Sequence, residues 1–143
     1  MGTETADRNK KVVGAVEEAW DSQDLDALDQ HFAPDFDNSG SAFPGLPPGL
    51  AGAKMAHHGS MTSFPDRKVN IEELLAEGDK VMVRGRVTGT NQGGFMDIPA
   101  NGNPIDISFV GIYTVRDGKL VRHWGLNDAA ALMMQLQAQP RSS

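Results

Sequence analysis

The sequence contains no cysteine among its 143 residues. Disulfide bonds, cysteine nucleophiles and zinc–thiolate sites are therefore excluded. Aromatic residues make up only 6%, and 13 basic residues stand against 19 acidic ones, for a formal net charge of −6. Because no long basic run occurs either, the chain lacks the electrostatic footprint of a nucleic-acid-binding protein, and its acidity argues against polyanionic partners.

Long apolar runs are also missing, and none approaches the roughly 20 residues that a membrane helix needs. The first residues, MGTETADRNKK, are polar and lack the apolar core of a signal peptide. We therefore expect a cytoplasmic protein with no membrane partner. With 39% hydrophobic and 22% charged residues, the chain suits one globular domain. We expect its core at about residues 8–138, with flexible tails at 1–7 and 139–143.

Apolar periodicity predicts helices in the first part of the chain. In Thr5–Asp21, apolar residues recur every three or four positions, and we place Glu17, Glu18 and Lys11 on the opposite, outward face. A second, short helix is predicted at Leu25–Phe32.

Glycine and proline dominate the next segment, Asp35–Gly52, and predict a long loop. Such a loop can form a lid or a pocket wall, or it can be a tolerated surface excursion. A third helix is predicted from about Leu50 to Ser63, and Pro65 ends it.

The second half of the chain alternates between apolar and polar residues, which predicts strands. Asp117–Gly118 is a strong hairpin turn signal. The predicted strands are Lys68–Glu77, Lys80–Thr90, Ile105–Arg116 and Lys119–Asn127, and the closing helix is Asp128–Gln137. Helices that precede strands, rather than alternate with them, indicate an α+β fold, here with a four-stranded antiparallel meander.

Several motifs together resemble one family, the SnoaL-like polyketide cyclases. FPD precedes the first predicted strand, EGDKVMVRGRVTGT leads through a Gly-Phe pair to IPANG, and YTVRDGKLVRHW closes the match. FAPDF and PGLPPGLAG upstream are similar too, so the resemblance runs from about Val12 to Gln137. It implies an α+β cone of the nuclear transport factor two-like superfamily, in which a curved antiparallel sheet packs against N-terminal helices around a central cavity.

The resemblance also implies a chemistry. Family cyclases close a polyketide ring by intramolecular aldol condensation without a cofactor or metal. An acidic residue removes a proton beside a carbonyl, and hydrogen-bond donors stabilise the enolate. We therefore expect a hydrophobic small-molecule ligand, no cofactor, no metal, and a homodimer or higher homo-oligomer formed through the outer sheet face. Leu120, Trp124 and Tyr113 are expected on that face, or else packed on helices.

The acid–base aspartate of the family falls in a His-Trp-Asp pattern, which reads His123-Trp124-Gly125 here. Glycine cannot transfer a proton, so the chain departs from the pattern at its reactive position. His123 is a candidate base or donor, because imidazole titrates near neutrality, or else a structural pocket residue. Asp128 is a candidate replacement carboxylate, or else a helix N-cap. Strand alternation puts Asn127 on the face of His123, towards the cavity, where Gly125 would leave extra room.

The candidate ligand-binding residues are Trp20, Asn38, His58, Phe109 and Asn127. Phe109 and Gly111 occupy positions at which the family carries polar pocket residues, so we expect a less polar pocket than in a working cyclase. Asn38 falls where the family often has Asn or Asp. It can bind a ligand carbonyl or form an ordinary turn.

The first and third helices supply the other candidates. Trp20 is either a core residue or a wall of the cavity. Because adjacent residues do not share a helix face, only one of His57 and His58 is expected to face the cavity, and we assign His58 to the ligand site. The same geometry argues against a metal site there.

Three functions follow for a protein that binds a hydrophobic small molecule. The first is a cofactor-independent enzyme of aromatic polyketide or related secondary metabolism, with aldol cyclisation implied by the resemblance. The second is a cofactor-independent hydroxylase or isomerase acting on a hydrophobic ring. The third is a non-catalytic ligand-binding or dimerisation module, which the missing polar groups at Phe109, Gly111 and Gly125 favour.

Overall fold

A computed structural model describes residues 2–22, 24–40 and 45–139. Its helices are α1 (Gly2–Ser22), α2 (Leu25–Leu28), α3 (Gly49–Ser63) and α4 (Ala129–Gln137). Its strands are β1 (Phe32–Gly40), β2 (Lys68–Glu77), β3 (Lys80–Thr90), β4 (Pro104–Arg116) and β5 (Lys119–Asn127). The strands form one curved, unclosed sheet in the order β1-β5-β4-β3-β2, and the helices pack on it. The predicted α+β fold is therefore confirmed.

Strands β2 to β5 form the predicted antiparallel meander. Between β4 and β5, Asp117 and Gly118 both have positive φ, at 51° and 76°. A two-residue type I′ hairpin requires this conformation, and Asp-Gly adopts it readily.

The segment before α3 differs from the prediction. The predicted helix Leu25–Phe32 ends at Leu28, and Phe32–Gly40 forms a fifth strand, parallel to β5. The expected four-stranded sheet was therefore wrong, as was the loop from Asp35 to Gly40. Residues 41–44 of that expected loop lie outside the described residues. Pro34 is tolerated because β1 is an edge strand, where a missing N–H interrupts no ladder.

Both ends of the chain were expected to be flexible tails. Helix α1 begins at Gly2, so residues 2–7 belong to it. Residues 140–143 of the expected C-terminal tail lie outside the described part of the chain. Among the helices described, none combines the length and the apolar character that a membrane crossing requires.

The main core lies between α1 and the inner face of the sheet. Its fully buried members are Val13, Val16, Leu28, Val81, Val83 and Leu120. A smaller cluster of Phe64, Ile105 and Leu136 closes the other end. There, the Asn103 side-chain amide donates to the carbonyl oxygens of Gln135, Leu136 and Ala138 and holds the last turn of α4.

The outer sheet face carries only one of the three residues expected there. Leu120 and Tyr113 point into the core, whereas Trp124 is 42% exposed on the outside. Leu120 and Trp124 fall on opposite faces, although an even spacing separates them, because β5 has one extra residue at Val121 relative to β4. Such a bulge shifts the alternation by one position.

Candidate functional site

A cavity of about 450 Å³ lies between α1, α3 and the inner face of the sheet. Its size falls within the roughly 300–1,000 Å³ that is typical of small-molecule sites. The wall is mostly apolar, and its aromatic and aliphatic members include Phe32, Phe36, Phe64, Phe95, Ile105, Ile107 and Phe109. The cavity therefore suits a hydrophobic ligand with few polar groups.

The structure brings five of the proposed site residues together in the cavity wall: Trp20, Asn38, Phe109, His123 and Asn127. Asn38 is partly engaged already, since its amide donates to the carbonyl oxygen of Pro47 at 3.4 Å. Asp128 caps α4 instead, and its carboxylate accepts from the backbone N–H of Ala131 at 3.0 Å.

The histidine pair of α3 divides as helix geometry requires, with one ring inside and one outside. His57 is buried in the cavity wall, whereas His58, the member that we assigned to the ligand site, is exposed and does not line the cavity. The His57 ring lies against Trp20, with ring centroids 4.6 Å apart. Burial, aided by the nearby charge of Arg67, lowers the pKa of His57 to about 4. His57 is therefore neutral at neutral pH.

The His123 imidazole lies over two glycines. Gly111 and Gly125 are cross-strand partners on the inner face. A Cβ on Gly125 would lie 3.0 Å from Nε2 of His123, and one on Gly111 would lie 3.2 Å from the same atom. The expectation that Gly125 leaves extra room was therefore wrong, because the imidazole fills that space.

The same ring stacks on Tyr113, with centroids 4.5 Å apart and planes 23° from parallel. Burial lowers the pKa of His123 to about 4, so the ring is neutral at neutral pH. His123 is therefore a neutral hydrogen-bonding group held in place by an aromatic neighbour.

A buried carboxyl in the wall was not predicted as a site residue. Glu17 was predicted on the outward face of α1, but it is only 6% exposed and lines the cavity. The hydroxyl of Tyr113 donates to Oε1 of Glu17 at 2.6 Å. Helix periodicity contained the signal, because Glu17 lies four residues after Val13 and three before Trp20, within the apolar stripe.

Burial changes the acid–base properties of this pair. It raises the pKa of Glu17 above its usual value, although the Tyr113 hydrogen bond and the charge of Arg67 act in the opposite direction. Burial raises the pKa of Tyr113 well above its usual value, and the neighbouring Glu17 raises it further. Tyr113 therefore keeps its proton and acts as a donor, while Glu17 can exchange one.

One face of α1 organises the polar end of the cavity. Trp20 and Asp21 lie three and four residues after Glu17, so each is a neighbour of Glu17 on the helix surface. Each contacts a different element: Glu17 contacts Tyr113 of β4, Trp20 contacts His57 of α3, and Asp21 contacts Arg67 before β2. Sequence reasoning missed this convergence, because it depends on tertiary packing.

No group of three or more His, Asp or Glu side chains suited to a metal ion occurs within residues 2–22, 24–40 and 45–139. The arrangement that the structure does contain is an apolar cavity with one buried carboxyl and several hydrogen-bond donors. Such a site can remove a proton from carbon and stabilise the resulting anion.

Several solved structures share this fold. IdmH from Streptomyces antibioticus, described as "a putative polyketide cyclase", superposes with a TM-score of 0.81 at 28% identity, over 91% of this chain and 99% of that one. AclR from Streptomyces galilaeus, described as "a putative hydroxylase", gives a TM-score of 0.82 at 26% identity, over 96% and 86%. A SnoaL-like protein from Jannaschia gives a TM-score of 0.81 at 27% identity, over 94% and 95%.

No curated protein sequence matches the chain. The profile of the SnoaL-like polyketide cyclases, in contrast, matches residues 10–136. That match covers most of the chain and agrees with the cone fold and its central cavity. The chain therefore belongs to the SnoaL-like polyketide cyclase family.

Proposed function

We propose that this protein is a cofactor-independent enzyme that transfers a proton beside the carbonyl of a hydrophobic, polyketide-like substrate, with Glu17 as the base. The observation that supports this most is the position of the Glu17 carboxyl, in the wall of an apolar cavity and hydrogen-bonded by Tyr113. Burial disfavours the charged carboxylate, so a buried carboxylate takes up a proton more readily than one in water. Proton transfer is most efficient when the pKa of the base approaches the working pH.

Ring closure is the reaction that the family relationship favours. The Glu17 carboxylate removes a proton from the carbon beside one carbonyl, and the C–H electron pair moves through that carbonyl to its oxygen, giving an enolate. The enolate carbon bonds to a second carbonyl carbon of the same molecule. The second oxygen receives the electron pair and then the proton held by Glu17. The carboxylate is regenerated, and no electrons enter or leave.

This assignment moves the base from β5, where the chain has Gly125, to α1. We assign proton transfer to Glu17 rather than Asp128, because the Asp128 carboxylate caps α4. His123 of β5, which stacks on Tyr113, is proposed to donate a hydrogen bond to the substrate. Trp20, Phe109, Asn38 and Asn127 are proposed to contact the ligand.

Deuterium uptake by a simple ketone tests this function without knowledge of the natural substrate. Methyl naphthyl ketone carries exchangeable protons beside its carbonyl on an apolar ring system. In D2O, we expect the protein to accelerate exchange of the methyl protons, followed by NMR. Glu17→Gln is expected to lower the enzymatic rate by about 100-fold or more, since general bases contribute roughly 10²–10⁴-fold.

The neighbouring Glu18 provides the matched control, because it lies on the same helix and is exposed. Glu18→Gln is expected to retain the wild-type rate. Exchange that survives Glu17→Gln unchanged would assign the proton transfer to another group. Tight binding of the ketone without exchange by the wild type would favour a non-catalytic binding module.

A hydroxylase acting on a hydrophobic ring is the second candidate, and the likeness to AclR supports it. The two candidates differ in their need for dioxygen. Exchange that continues under nitrogen favours the proton-transfer enzyme, whereas product formation that requires dioxygen favours the hydroxylase.

We further propose that two copies of the chain associate through the outer sheet face. Ile112 and Trp124 are cross-strand neighbours there and are 37% and 42% exposed. Paired apolar side chains on an open sheet favour burial against a partner. Of the residues expected on this surface, Trp124 remains, whereas Leu120 and Tyr113 lie in the core.

A further inference from the structure

The guanidinium of Arg67 has unused hydrogen-bonding capacity. Arg67 lines the cavity, and its side chain is only 17% exposed. Nη1 is buried and lies 3.5 Å from Oδ1 of Asp21, but it makes no hydrogen bond to any residue that the structure describes. Most buried donors in proteins are paired, so an unpaired donor on a cavity-lining guanidinium is a candidate to bind a ligand acceptor.

Asp21 provides a counter-charge for Arg67, but its oxygens are used elsewhere. Both accept from the backbone N–H of Val69, at 3.2 and 3.0 Å. This bond fixes Asp21 against the start of β2. The backbone N–H of Arg67 donates to the carbonyl oxygen of Phe64 at 2.9 Å and fixes the turn that precedes β2. The base of the Arg67 side chain is therefore held, while its tip retains donors.

Among the described residues that line the cavity, Arg67 is the one arginine or lysine. His57, whose Nε2 also lacks a hydrogen-bond partner among the described residues, is neutral at neutral pH. The charge of Arg67 favours the ionised form of Glu17 and opposes protonation of His57. Arg67 is therefore close enough to Glu17 to interact electrostatically with its negative charge, including when that charge moves to a substrate oxygen.

We propose that Arg67 binds the carbonyl oxygen of the substrate and stabilises the enolate that forms when Glu17 removes the adjacent proton. This inference rests on the proposed function. The charges fit such a step, because the negative charge moves from Glu17 to a substrate oxygen within the cavity that Arg67 also lines. The net charge of Arg67, Glu17, Asp21 and the substrate stays the same, so the cavity need not stabilise additional charge.

The same balance specifies the class of the substrate. Glu17 and Asp21 already place two carboxyl groups beside one guanidinium. A ligand carboxylate would add a third negative charge, whereas a ketone or ester adds none. The group bound at Arg67 is therefore a neutral carbonyl and not a free acid.

A matched pair of ligands tests the carbonyl contact without any turnover. Methyl naphthyl ketone and isopropenylnaphthalene have nearly the same shape, but only the ketone has an acceptor oxygen. Binding is followed by quenching of Trp20, which lines the cavity. We expect the wild type to bind the ketone about tenfold more tightly than the hydrocarbon, the scale of one charge-assisted hydrogen bond. Naphthoate is expected to bind more weakly than the ketone.

Arg67→Met removes the donors while retaining an unbranched apolar chain. We expect it to reduce the preference for the ketone to about twofold or less, and to leave hydrocarbon affinity within about threefold of wild type. Arg86→Met is the charge-matched control, because Arg86 lies half-buried on the outer face, does not line the cavity and pairs with Asp106. This control is expected to keep the full preference. If Arg67→Met does not fold, Arg67→Lys takes its place, because it keeps the charge but changes the donor geometry. We expect Arg67→Lys to lose at least half of the preference for the ketone over the hydrocarbon, measured on a logarithmic scale.

An unchanged preference in the Arg67 variant, or a naphthoate affinity above that of the ketone, would overturn the proposal. The proton-exchange assay separates this failure from a failure of the proposed function. If exchange depends on Glu17 but the preference for the ketone does not depend on Arg67, only the role proposed for Arg67 is wrong. An Arg67-dependent preference without exchange in the wild type supports the carbonyl contact but removes the enzymatic role.

Discussion

Burial in the cavity moves the pKa of a carboxyl and of an imidazole in opposite directions, because in each case it favours the neutral form. The pKa of Glu17 is raised, whereas that of His123 is lowered to about 4. The cavity therefore combines a carboxyl group of increased basicity with an imidazole that is uncharged at neutral pH. The neutral imidazole can donate to a substrate oxygen without competing with Glu17 for the proton.

The shift of His123 predicts how stability depends on pH. Between about pH 4 and 6.5 the folded imidazole is neutral, whereas the unfolded one binds a proton, so the unfolded state is favoured as the pH falls. We expect the free energy of unfolding, measured with urea, to decrease from pH 6.5 to pH 4.5. His123→Phe should decrease less over the same range, and the exposed His58→Phe should follow the wild type. An equal decrease in His123→Phe and wild type would contradict the assigned shift.

Residue roles were only partly predictable from the sequence. Alternation along β5 placed His123 and Asn127 on the cavity face, where the structure has them. The same rule, applied from Phe109, would have placed Tyr113 inside, but apolar character suggested the outer face instead. For Glu17, charge was given more weight than helical position. A charged residue within an apolar stripe is a signal for a buried functional group, and it was available in the sequence.

At the scale of strands, β4 and β5 accommodate a side chain through paired glycines. Because Gly111 and Gly125 lie under the His123 ring, a methyl group at Gly125 must displace it. We expect Gly125→Ala to destabilise the fold by about 1–3 kcal/mol, as overpacking does. In a His123→Ala background the same substitution should cost less than about 1 kcal/mol, because no ring has to move.

Chemical denaturation of the four proteins in this double-mutant cycle measures the coupling. Gly14→Ala is a useful control, because a Cβ at Gly14 has no atom within 4 Å. If Gly125→Ala lowers the free energy of unfolding equally in both backgrounds, His123 is not the side chain that the two glycines accommodate.

Strand β1 shows why one element was not predicted. Its sequence, FAPDFDNSG, contains a proline and several turn-forming residues, which individually favour a loop. Its strand geometry comes from pairing with β5 and from the burial of Phe32 and Phe36 in the core. These contacts join positions far apart in the sequence, so local propensity cannot report them. Strands β2, β3 and β5, in contrast, have the predicted limits, because alternation and turn residues agree there.

The proposed homodimer depends on the outer sheet face. Trp124→Glu places a charge at the centre of the exposed apolar pair with Ile112. We expect this variant to be a monomer by light scattering after size-exclusion chromatography, with cavity ligand affinity unchanged. Met134→Glu is the matched control, because Met134 is 74% exposed on α4 and should leave the dimer intact. A wild-type monomer at micromolar concentration would contradict the proposed association.

The role of Glu17 as the base is tested by the pH dependence of ketone proton exchange in wild type and Glu17→Gln. The base must be ionised to act, so the wild-type rate should rise with pH, reach half of its maximum above the ordinary carboxyl pKa of 4.5, and then level off. Glu17→Gln should lose both the rate and this titration. A Glu17→Gln protein with the wild-type rate and pH profile would show that Glu17 is not the base.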